Sequence, residues 1–94
     1  MFTVISKPNC PYCVKAKELL DYCKLPYKDF VSGEDLTREE VLEGIPDEVK
    51  NKESFVLTVP QIYHAGHYVG GYSELEDYLV ENDLVQVYDI DIDF

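Results

Sequence analysis

The first 31 residues constrain the fold more than any other part of the chain, because they pass from strand to helix and back to strand composition. FTVIS (2–6) is short and β-branched, and LPYKDFV (25–31) returns to strand composition after a break. Between them, apolar residues recur at the spacings of three and four that mark one face of a helix. These residues are Cys13, Ala16, Leu19, Leu20 and Cys23. The order predicts a βαβ unit with parallel strands and a right-handed crossover.

The middle of the chain predicts one or two short helices. In GEDLTREEVLEGIPDEVKNK (33–52), Thr37 and Glu40 have the spacing of a capping box. Gly44 is a typical helix stop, and Pro46 is a typical place for a second helix to start.

The following residues predict a hairpin and a last helix. SFVLTVPQIYH (54–64) is the most strand-like run of the chain, and Pro60 within it indicates an edge, a bulge or a cis bond. HAGHYVGG (64–71) predicts a turn and a returning strand. Ser73 and Glu76 predict a second capping box, which starts a helix that ends near Val80 or Leu84.

Size and composition favour one small cytoplasmic domain. The 94 residues are enough for a single compact core, and no apolar run approaches the roughly 20 residues of a membrane span. The N-terminus lacks the apolar stretch of a secretory signal. Residues 84–94 form an acidic-hydrophobic tail, for which we expect either an added edge strand or a recognition segment. The small size and acidic surface favour a monomer.

The charge of the chain is unevenly distributed. Residues 1–33 carry five lysines and three acidic side chains, whereas the remaining 61 residues hold three basic and 16 acidic ones. The overall net charge of −11 argues against nucleic-acid binding, because a phosphate backbone meets a mostly repulsive surface. The basic minority surrounds the cysteines, where it suits an anionic ligand or a thiolate, although solvated lysines on a helix explain it equally well.

Cys10 and Cys13 lie where the first helix is predicted to begin, with Pro11 at its favoured first position. The unpaired N–H groups and the positive end of the helix dipole face the first thiol. The dipole alone lowers a thiol pKa from about 8.5 to roughly 7–8. Cys13 belongs to the apolar face, so we expect it to be the more buried thiol. The pattern predicts Cys10 as nucleophile and Cys13 as the resolving cysteine.

A zinc site is the main alternative use of these cysteines. Together with His64 and His67, they have the composition of a Cys₂His₂ site. Against this, both histidines fall in a predicted turn, where we expect solvated side chains. Cys23 lies about 20 Å from Cys10 along a continuous helix, too far to pair with it, and is expected to be a buried apolar residue.

Three motifs in order resemble the glutaredoxin family: CPYC at 10–13, TVPQI at 58–62 and GGYSEL at 70–75. The likeness covers roughly residues 2–83. It implies an α/β, thioredoxin-like fold in which a four-stranded mixed sheet is flanked by helices.

The resemblance also implies a catalytic pair, Cys10 and Cys13, and a glutathione-binding set. That set comprises Lys7, Tyr12, Thr58, Val59, Pro60, Gly71, Tyr72 and Ser73. Pro60 would be a cis-proline beside the cysteines, and Val59 would pair with the backbone of glutathione. The start of the last helix would hold a carboxylate of the ligand. Many members carry Asp where Ser73 stands; serine keeps the cap but lacks the charge, which predicts reduced affinity for glutathione.

The resemblance predicts a glutathione-dependent thiol-disulfide oxidoreductase that reduces protein disulfides and glutathione mixed disulfides. Disulfide-containing client proteins, with ribonucleotide reductase among the candidates, are its implied partners, and no metal cofactor is expected. Two alternatives stay open. One is a glutaredoxin-like carrier reduced by thioredoxin reductase, which the Ser73 departure motivates, and the other is the zinc-binding module.

Overall fold

The computed structural model describes residues 1–84, so the tail lies outside the described residues except for Leu84. The chain forms a βαβ unit, two short helices, a hairpin and a last helix. The strands are β1 (Phe2–Ser6), β2 (Tyr27–Val31), β3 (Gln61–His64) and β4 (His67–Gly70). The helices are α1 (Pro11–Tyr22), α2 (Arg38–Glu43), α3 (Asp47–Lys50) and α4 (Tyr72–Glu81).

The four strands form one mixed sheet in the order β2-β1-β3-β4. β1 runs parallel to β2, with Val4 opposite Asp29, as the βαβ interpretation predicts. β3 runs antiparallel to both β1 and β4. Because β1 and β3 are the inner strands, the loops that follow β1 and precede β3 meet at one end of the sheet. The predicted thioredoxin-like arrangement is confirmed.

One face of the sheet carries the main core, where α1 and α4 pack on the strands. The predicted apolar face of α1 is buried there, with Leu19 partly exposed at its margin. The fully buried members of this core are Phe2, Val4, Ala16, Leu20, Cys23, Ile62, Leu75 and Leu79. Removing their apolar surface from water, at roughly 25 cal/mol per Å², is the main force that fixes α1 and its N-terminus against the sheet.

The other face of the sheet is covered by the segment that contains α2. Successive residues of a strand point to opposite faces, so Tyr63 points away from the core that holds Ile62. Its ring reaches Gly44, where a Cβ atom would lie only 2.6 Å from the Tyr63 hydroxyl. The predicted capping box is confirmed: the Thr37 hydroxyl accepts from the N–H of Glu40, and the Glu40 carboxylate accepts from the N–H of Thr37. Gly44 ends α2 and Pro46 caps α3.

Two predictions about element boundaries are wrong. Residues 54–60 do not extend the strand, and β3 begins only at Gln61. The expected cis bond at Pro60 is confirmed, and Pro60 itself has no N–H to give to a ladder. The cap of α4 is Gly71 rather than Ser73, and the carboxylate of Glu74, not Glu76, accepts the N–H of Gly71 at 2.9 Å. Ser73 lies inside the first turn of the helix.

Candidate active site

The two cysteines of CPYC lie at the start of α1 and are joined by a disulfide. Cys10 is the N-cap residue, Pro11 follows at the first helical position, and the Cα atoms of Cys10 and Cys13 are 5.2 Å apart. The backbone N–H of Cys13 donates to Sγ of Cys10 across 3.1 Å. An N-cap side chain ordinarily accepts such a bond with oxygen, and here sulfur takes that place. In the reduced protein, the same N–H and the helix dipole favour a thiolate at Cys10.

The two sulfur-bearing residues differ in exposure. Cys10 is half-buried, whereas Cys13 is 1% exposed and packs on the sheet side of α1. An incoming disulfide therefore meets Cys10 first, and Cys13 reaches a bound partner only through the Cys10 sulfur. This asymmetry agrees with the predicted roles of nucleophile and resolving cysteine.

An open groove runs beside the disulfide, between the loop after β1 and the first turns of α1. Asn9 adopts a left-handed backbone conformation (φ 62°), which turns the chain from β1 into the helix. Lys7 is exposed, and both Lys7 and Lys17 line the groove. The structure thus brings the predicted residue Lys7 to the rim of the site, with a cationic side chain beside the reactive sulfurs.

The loop before β3 approaches the Cys10 sulfur through Val59. The carbonyl oxygen of Val59 lies 3.8 Å from Sγ of Cys10, and the cis Pro60 that follows it is buried. Thr58 is exposed and Val59 is half-buried. Of the three residues that the sequence assigns to this loop, Val59 therefore contacts Cys10, and Thr58 and Pro60 are its neighbours in the chain.

The start of α4, which contains the predicted residues Gly71, Tyr72 and Ser73, lies beside the cis-proline loop. A Cβ atom on Gly71 would lie 3.7 Å from the carbonyl oxygen of Pro60, so this turn is next to the cis-proline loop. Gly70 has φ +122°, a conformation that L side chains rarely adopt. The first N–H groups of α4, those of Tyr72 and Ser73, have no acceptor within the helix. Ser73 is exposed.

Two tyrosines connect the starts of α1 and α4. The rings of Tyr12 and Tyr72 are 5.9 Å apart with a 40° tilt, and Nζ of Lys15 lies 5.0 Å above the Tyr12 ring. Tyr12 is 56% exposed, which leaves it available to a ligand on the cysteine sulfur. Burial raises the pKa of Tyr72, and the charge of Glu76 and a hydrogen bond to it act in the same direction, so this hydroxyl stays protonated.

Sequence reasoning missed a polar network that anchors Lys17. The buried hydroxyl of Ser6 donates to Oδ1 of Asp29 at 2.7 Å, and Nζ of Lys17 contacts Oδ2 of the same carboxylate at 3.0 Å. Ser6 ends β1 only four residues before Cys10, so this network ties α1 to the sheet close to the site. The sequence signal that points to it is Ser6, a polar residue at the buried end of β1.

The structure does not assemble the Cys₂His₂ set. His64 pairs with Phe2 at the start of β1, whereas Cys10 follows the other end of that strand, about 13 Å away along five residues. Its Nδ1 is 2.7 Å from the Tyr78 hydroxyl, and its ring stacks on Phe2 at 4.1 Å. Among residues 1–84, no three His, Cys, Asp or Glu side chains are grouped so as to hold a metal ion. The expectation of solvated turn histidines fits the exposed His67 but is wrong for His64.

Cys23 is a separate buried residue at the end of α1. It is 0% exposed, carries a free thiol and packs in the main core, as predicted. It takes no part in the site.

No helix in the described part of the chain is both long and apolar enough to cross a membrane.

Known proteins similar to this chain share both the motifs and the fold. The family model described as Glutaredoxin matches residues 2–69. A glutaredoxin of Vibrio cholerae is 35% identical over 89 residues, which cover 87% of this chain and 94% of that protein. The hybrid peroxiredoxin hyPrx5 of Haemophilus influenzae is 34% identical over 76 residues, or 81% of this chain, but the chain spans only 28% of that longer protein.

Solved structures agree. The structure of oxidised Escherichia coli glutaredoxin superimposes with a TM-score of 0.64 at 28% identity, covering 86% of this chain and 94% of that one. A buckwheat glutaredoxin–glutathione complex shares the fold at 23% identity and a TM-score of 0.62, covering 89% of this chain and 72% of that one.

A thioredoxin-like sheet with a CxxC disulfide at the N-terminus of α1, beside a cis-proline, defines a dithiol thiol-disulfide oxidoreductase. The chain belongs to the glutaredoxin family, whose members carry out this reaction.

Proposed function

We propose that this protein uses glutathione as its reductant and acts on protein disulfides and glutathione mixed disulfides. The observation that carries the proposal is the carbonyl of Val59 at 3.8 Å from the Cys10 sulfur, in a loop whose next residue, Pro60, lies beside Gly71 at the start of α4. The loop suits strand-like pairing with a short extended peptide. The start of α4 suits a carboxylate, because helix N–H groups and the helix dipole attract anions.

In this proposal, three parts of the site bind three parts of glutathione. Its central cysteine would lie along Val59, with its sulfur on Cys10. One terminal carboxylate would meet the N–H groups of Tyr72 and Ser73, and the other would meet the ammonium group of Lys7. Tyr12, which is exposed beside Tyr72, would cover the bound sulfur. The buckwheat protein whose structure contains glutathione supports the fold of such a site, and the assignment to these residues is our proposal.

The proposed reaction proceeds by two thiolate displacements. The Cys10 thiolate attacks one sulfur of the substrate disulfide, forms a mixed disulfide and releases the other sulfur as a thiolate, which takes up a proton. With a glutathione mixed disulfide, the thiolate of a second glutathione then attacks the glutathione sulfur bound to Cys10, which forms glutathione disulfide and releases Cys10 as a thiolate. With a protein disulfide, Cys13 attacks the Cys10 sulfur, releases the reduced client and closes the disulfide seen in the structure. One glutathione thiolate then opens this disulfide by forming a mixed disulfide on Cys10 and releasing Cys13, and a second attacks the bound glutathione, releases Cys10 and leaves as glutathione disulfide, which restores the dithiol.

Disulfide-containing proteins are the proposed clients, with ribonucleotide reductase as one candidate. We further propose that the protein acts as a cytoplasmic monomer. The test of clients is direct: the reduced protein is mixed with oxidised ribonucleotide reductase, and the thiols gained by the reductase are counted. A Cys10→Ser variant serves as control. If the reductase gains no more thiols with the wild type than with Cys10→Ser, ribonucleotide reductase is not a client.

The reductant is tested by supplying each candidate electron source separately. Turnover of a glutathione mixed disulfide is followed with glutathione plus glutathione reductase and, in parallel, with thioredoxin reductase. We expect turnover in the first assay and little in the second. Turnover with thioredoxin reductase alone would overturn the proposal in favour of a carrier that depends on that enzyme.

A charge substitution tests the binding site itself. Ser73 is exposed in the first turn of α4. Ser73→Asp adds a carboxylate there, which interacts favourably with the positive end of the helix dipole and with the amino group of glutathione. We expect KM for a glutathione mixed disulfide to fall while kcat changes little. Ser54→Asp, which adds the same charge in the exposed turn after α3, is the control and should leave KM unchanged.

A further inference from the structure

A chain of side-chain hydrogen bonds links the edge strand β4 to the loop that faces Cys10. The Tyr68 hydroxyl donates to Oε1 of Gln61 at 2.6 Å, and Nε2 of Gln61 donates to the carbonyl oxygen of Thr58 at 2.6 Å. Gln61 is only 4% exposed, although it carries a polar amide. Both ends of this buried amide are therefore used, which is the condition for a polar side chain to be tolerated there.

Which group donates and which accepts in these two hydrogen bonds follows from the chemistry of the groups that they join. A backbone carbonyl can only accept, so the amide NH₂ of Gln61 must face Thr58 and its oxygen must face Tyr68. Tyr68 then has to act as donor. Burial raises the pKa of Tyr68, and the nearby Glu74 does the same, so the hydroxyl keeps its proton.

The held carbonyl belongs to the peptide that precedes Val59. A peptide unit is planar, and in its trans form the C=O and N–H point in opposite directions. Fixing the Thr58 carbonyl toward Gln61 therefore fixes the direction of the Val59 N–H, which points the other way. The carbonyl of Val59 itself, one peptide further, lies 3.8 Å from the sulfur of Cys10.

We infer that Tyr68, acting through Gln61, positions the Thr58–Val59 peptide and thereby sets the affinity for the extended peptide substrate. Tyr68 and Gln61 are positioning residues, because neither lines the groove beside the cysteines. The inference rests on the proposed function to the extent that glutathione is the peptide bound. The geometric step, from Tyr68 to the orientation of the Val59 N–H, is independent of the ligand.

A matched control residue, Tyr63, lies on the neighbouring strand β3. Tyr63 is paired with Tyr68 across the hairpin, and their rings meet edge to face at 5.4 Å. The Tyr63 hydroxyl is buried, and it has no hydrogen-bond partner among the described residues. Tyr63→Phe and Tyr68→Phe each remove one hydroxyl from the same aromatic pair, but only the second removes a bond to Gln61.

The kinetic test compares these two variants with the wild type, using a glutathione mixed disulfide as substrate. For Tyr68→Phe we expect KM to rise about three- to tenfold, the factor that one ordinary hydrogen bond represents, with kcat little changed. Tyr63→Phe should keep the wild-type KM. Gln61→Met should raise KM at least as much, and adding Tyr68→Phe to it should have no further effect, since the two residues act in one chain. An unchanged KM in Tyr68→Phe overturns the inference.

A ligand-free measurement separates this inference from the proposed function. The ¹⁵N order parameter of the Val59 amide should fall in Tyr68→Phe from the rigid value of about 0.85 towards 0.6, and should stay high in Tyr63→Phe. The order parameter of Ile62 in the core reports any general loosening and should not change. If the wild type shows no glutathione turnover but Val59 loosens as described, the proposed function fails and the positioning role stands. If Val59 stays rigid in Tyr68→Phe, the positioning role fails whatever the ligand.

Discussion

The sulfur of Cys10 lies 3.8 Å from the carbonyl oxygen of Val59, although the two residues are 49 positions apart in the chain. Cys10 is held by the start of α1, and Val59 is held by the loop before β3. Because β1 and β3 are neighbours in the sheet, the loop that leaves one and the loop that enters the other must meet. The reactive sulfur therefore depends on both loops, and substitutions in either should change its chemistry.

The difference in exposure between the two cysteines predicts different outcomes when each is replaced. Cys10→Ser should abolish reduction of every disulfide substrate, because the nucleophile, the more accessible of the two sulfurs, is lost. Cys13→Ser should keep part of the activity on glutathione mixed disulfides and accumulate mixed disulfides with protein substrates, because only the resolving step is lost. Mass spectrometry of the trapped species distinguishes the two. Full turnover by Cys10→Ser would show that the roles are wrongly assigned.

The N-cap position of Cys10 predicts an easily ionised thiol. Its sulfur accepts the N–H of Cys13 and faces the N-terminus of a twelve-residue helix. We expect the Cys10 pKa in the reduced protein to lie below the value of about 8.5 for free cysteine. The rate of iodoacetamide labelling against pH in Cys13→Ser gives this value directly. Cys23 is 0% exposed, so a Cys10→Ser/Cys13→Ser variant should resist labelling until it is unfolded. A midpoint at or above 8.5 for Cys10 would contradict the dipole argument.

The order of elements could be predicted from sequence because it depends on local patterns. The spacing of Cys13, Ala16 and Leu20 is set by the helix period, and these side chains are buried as that period requires. Thr37 and Glu40 form their capping box because its bonds connect residues only three apart. The three motifs likewise allowed the four-stranded mixed sheet to be predicted, because members of one family share a fold.

The parts that could not be predicted depend on contacts between distant residues. The strand-like run before Pro60 is not a strand, because whether it pairs is decided by its neighbours and not by its β propensity. Ser73 and Glu76 have the spacing of a capping box, yet Gly71 caps α4 because β4 ends at Gly70 and the helix begins directly after Gly71. The bonds from Ser6 to Asp29 and from Tyr68 to Gln61 join residues that only the sheet brings together.

The network around Asp29 predicts unequal effects for its two partners. Asp29→Ala leaves the buried Ser6 hydroxyl without its acceptor, which should reduce the free energy of unfolding by about 1–3 kcal/mol. Lys17→Met removes only a partly exposed ion pair and should reduce it by at most about 1 kcal/mol. Urea unfolding measures both. Adding Ser6→Ala to Asp29→Ala should recover part of the loss, because no buried hydroxyl then lacks a partner. Equal losses in Asp29→Ala and Lys17→Met would contradict this account.

His64 predicts a loss of stability in mild acid. Burial lowers its pKa, and the positive charges of the N-terminal amino group and of His67 act in the same direction. In the unfolded chain a histidine titrates near 6.5. Below about that pH, His64 therefore binds a proton in the unfolded state but is still neutral in the folded state. Stability is therefore fully retained above about pH 6.5 and declines as the pH falls from there towards the lowered pKa of the folded state.

The measurement is urea unfolding at a series of pH values from 7.5 down to 5. Wild type should lose stability across this range, and His64→Gln should lose less, because the group that takes up the proton is gone. His67→Gln, which alters the exposed histidine of the same hairpin, removes only the smallest of the three causes that lower the His64 pKa, so its curve should stay closer to the wild type than that of His64→Gln. Since carboxylates titrate mainly below this range, near pH 4, the difference between the curves isolates His64. Identical curves for wild type and His64→Gln would show that the contacts of His64 with Phe2 and Tyr78 do not exclude the proton.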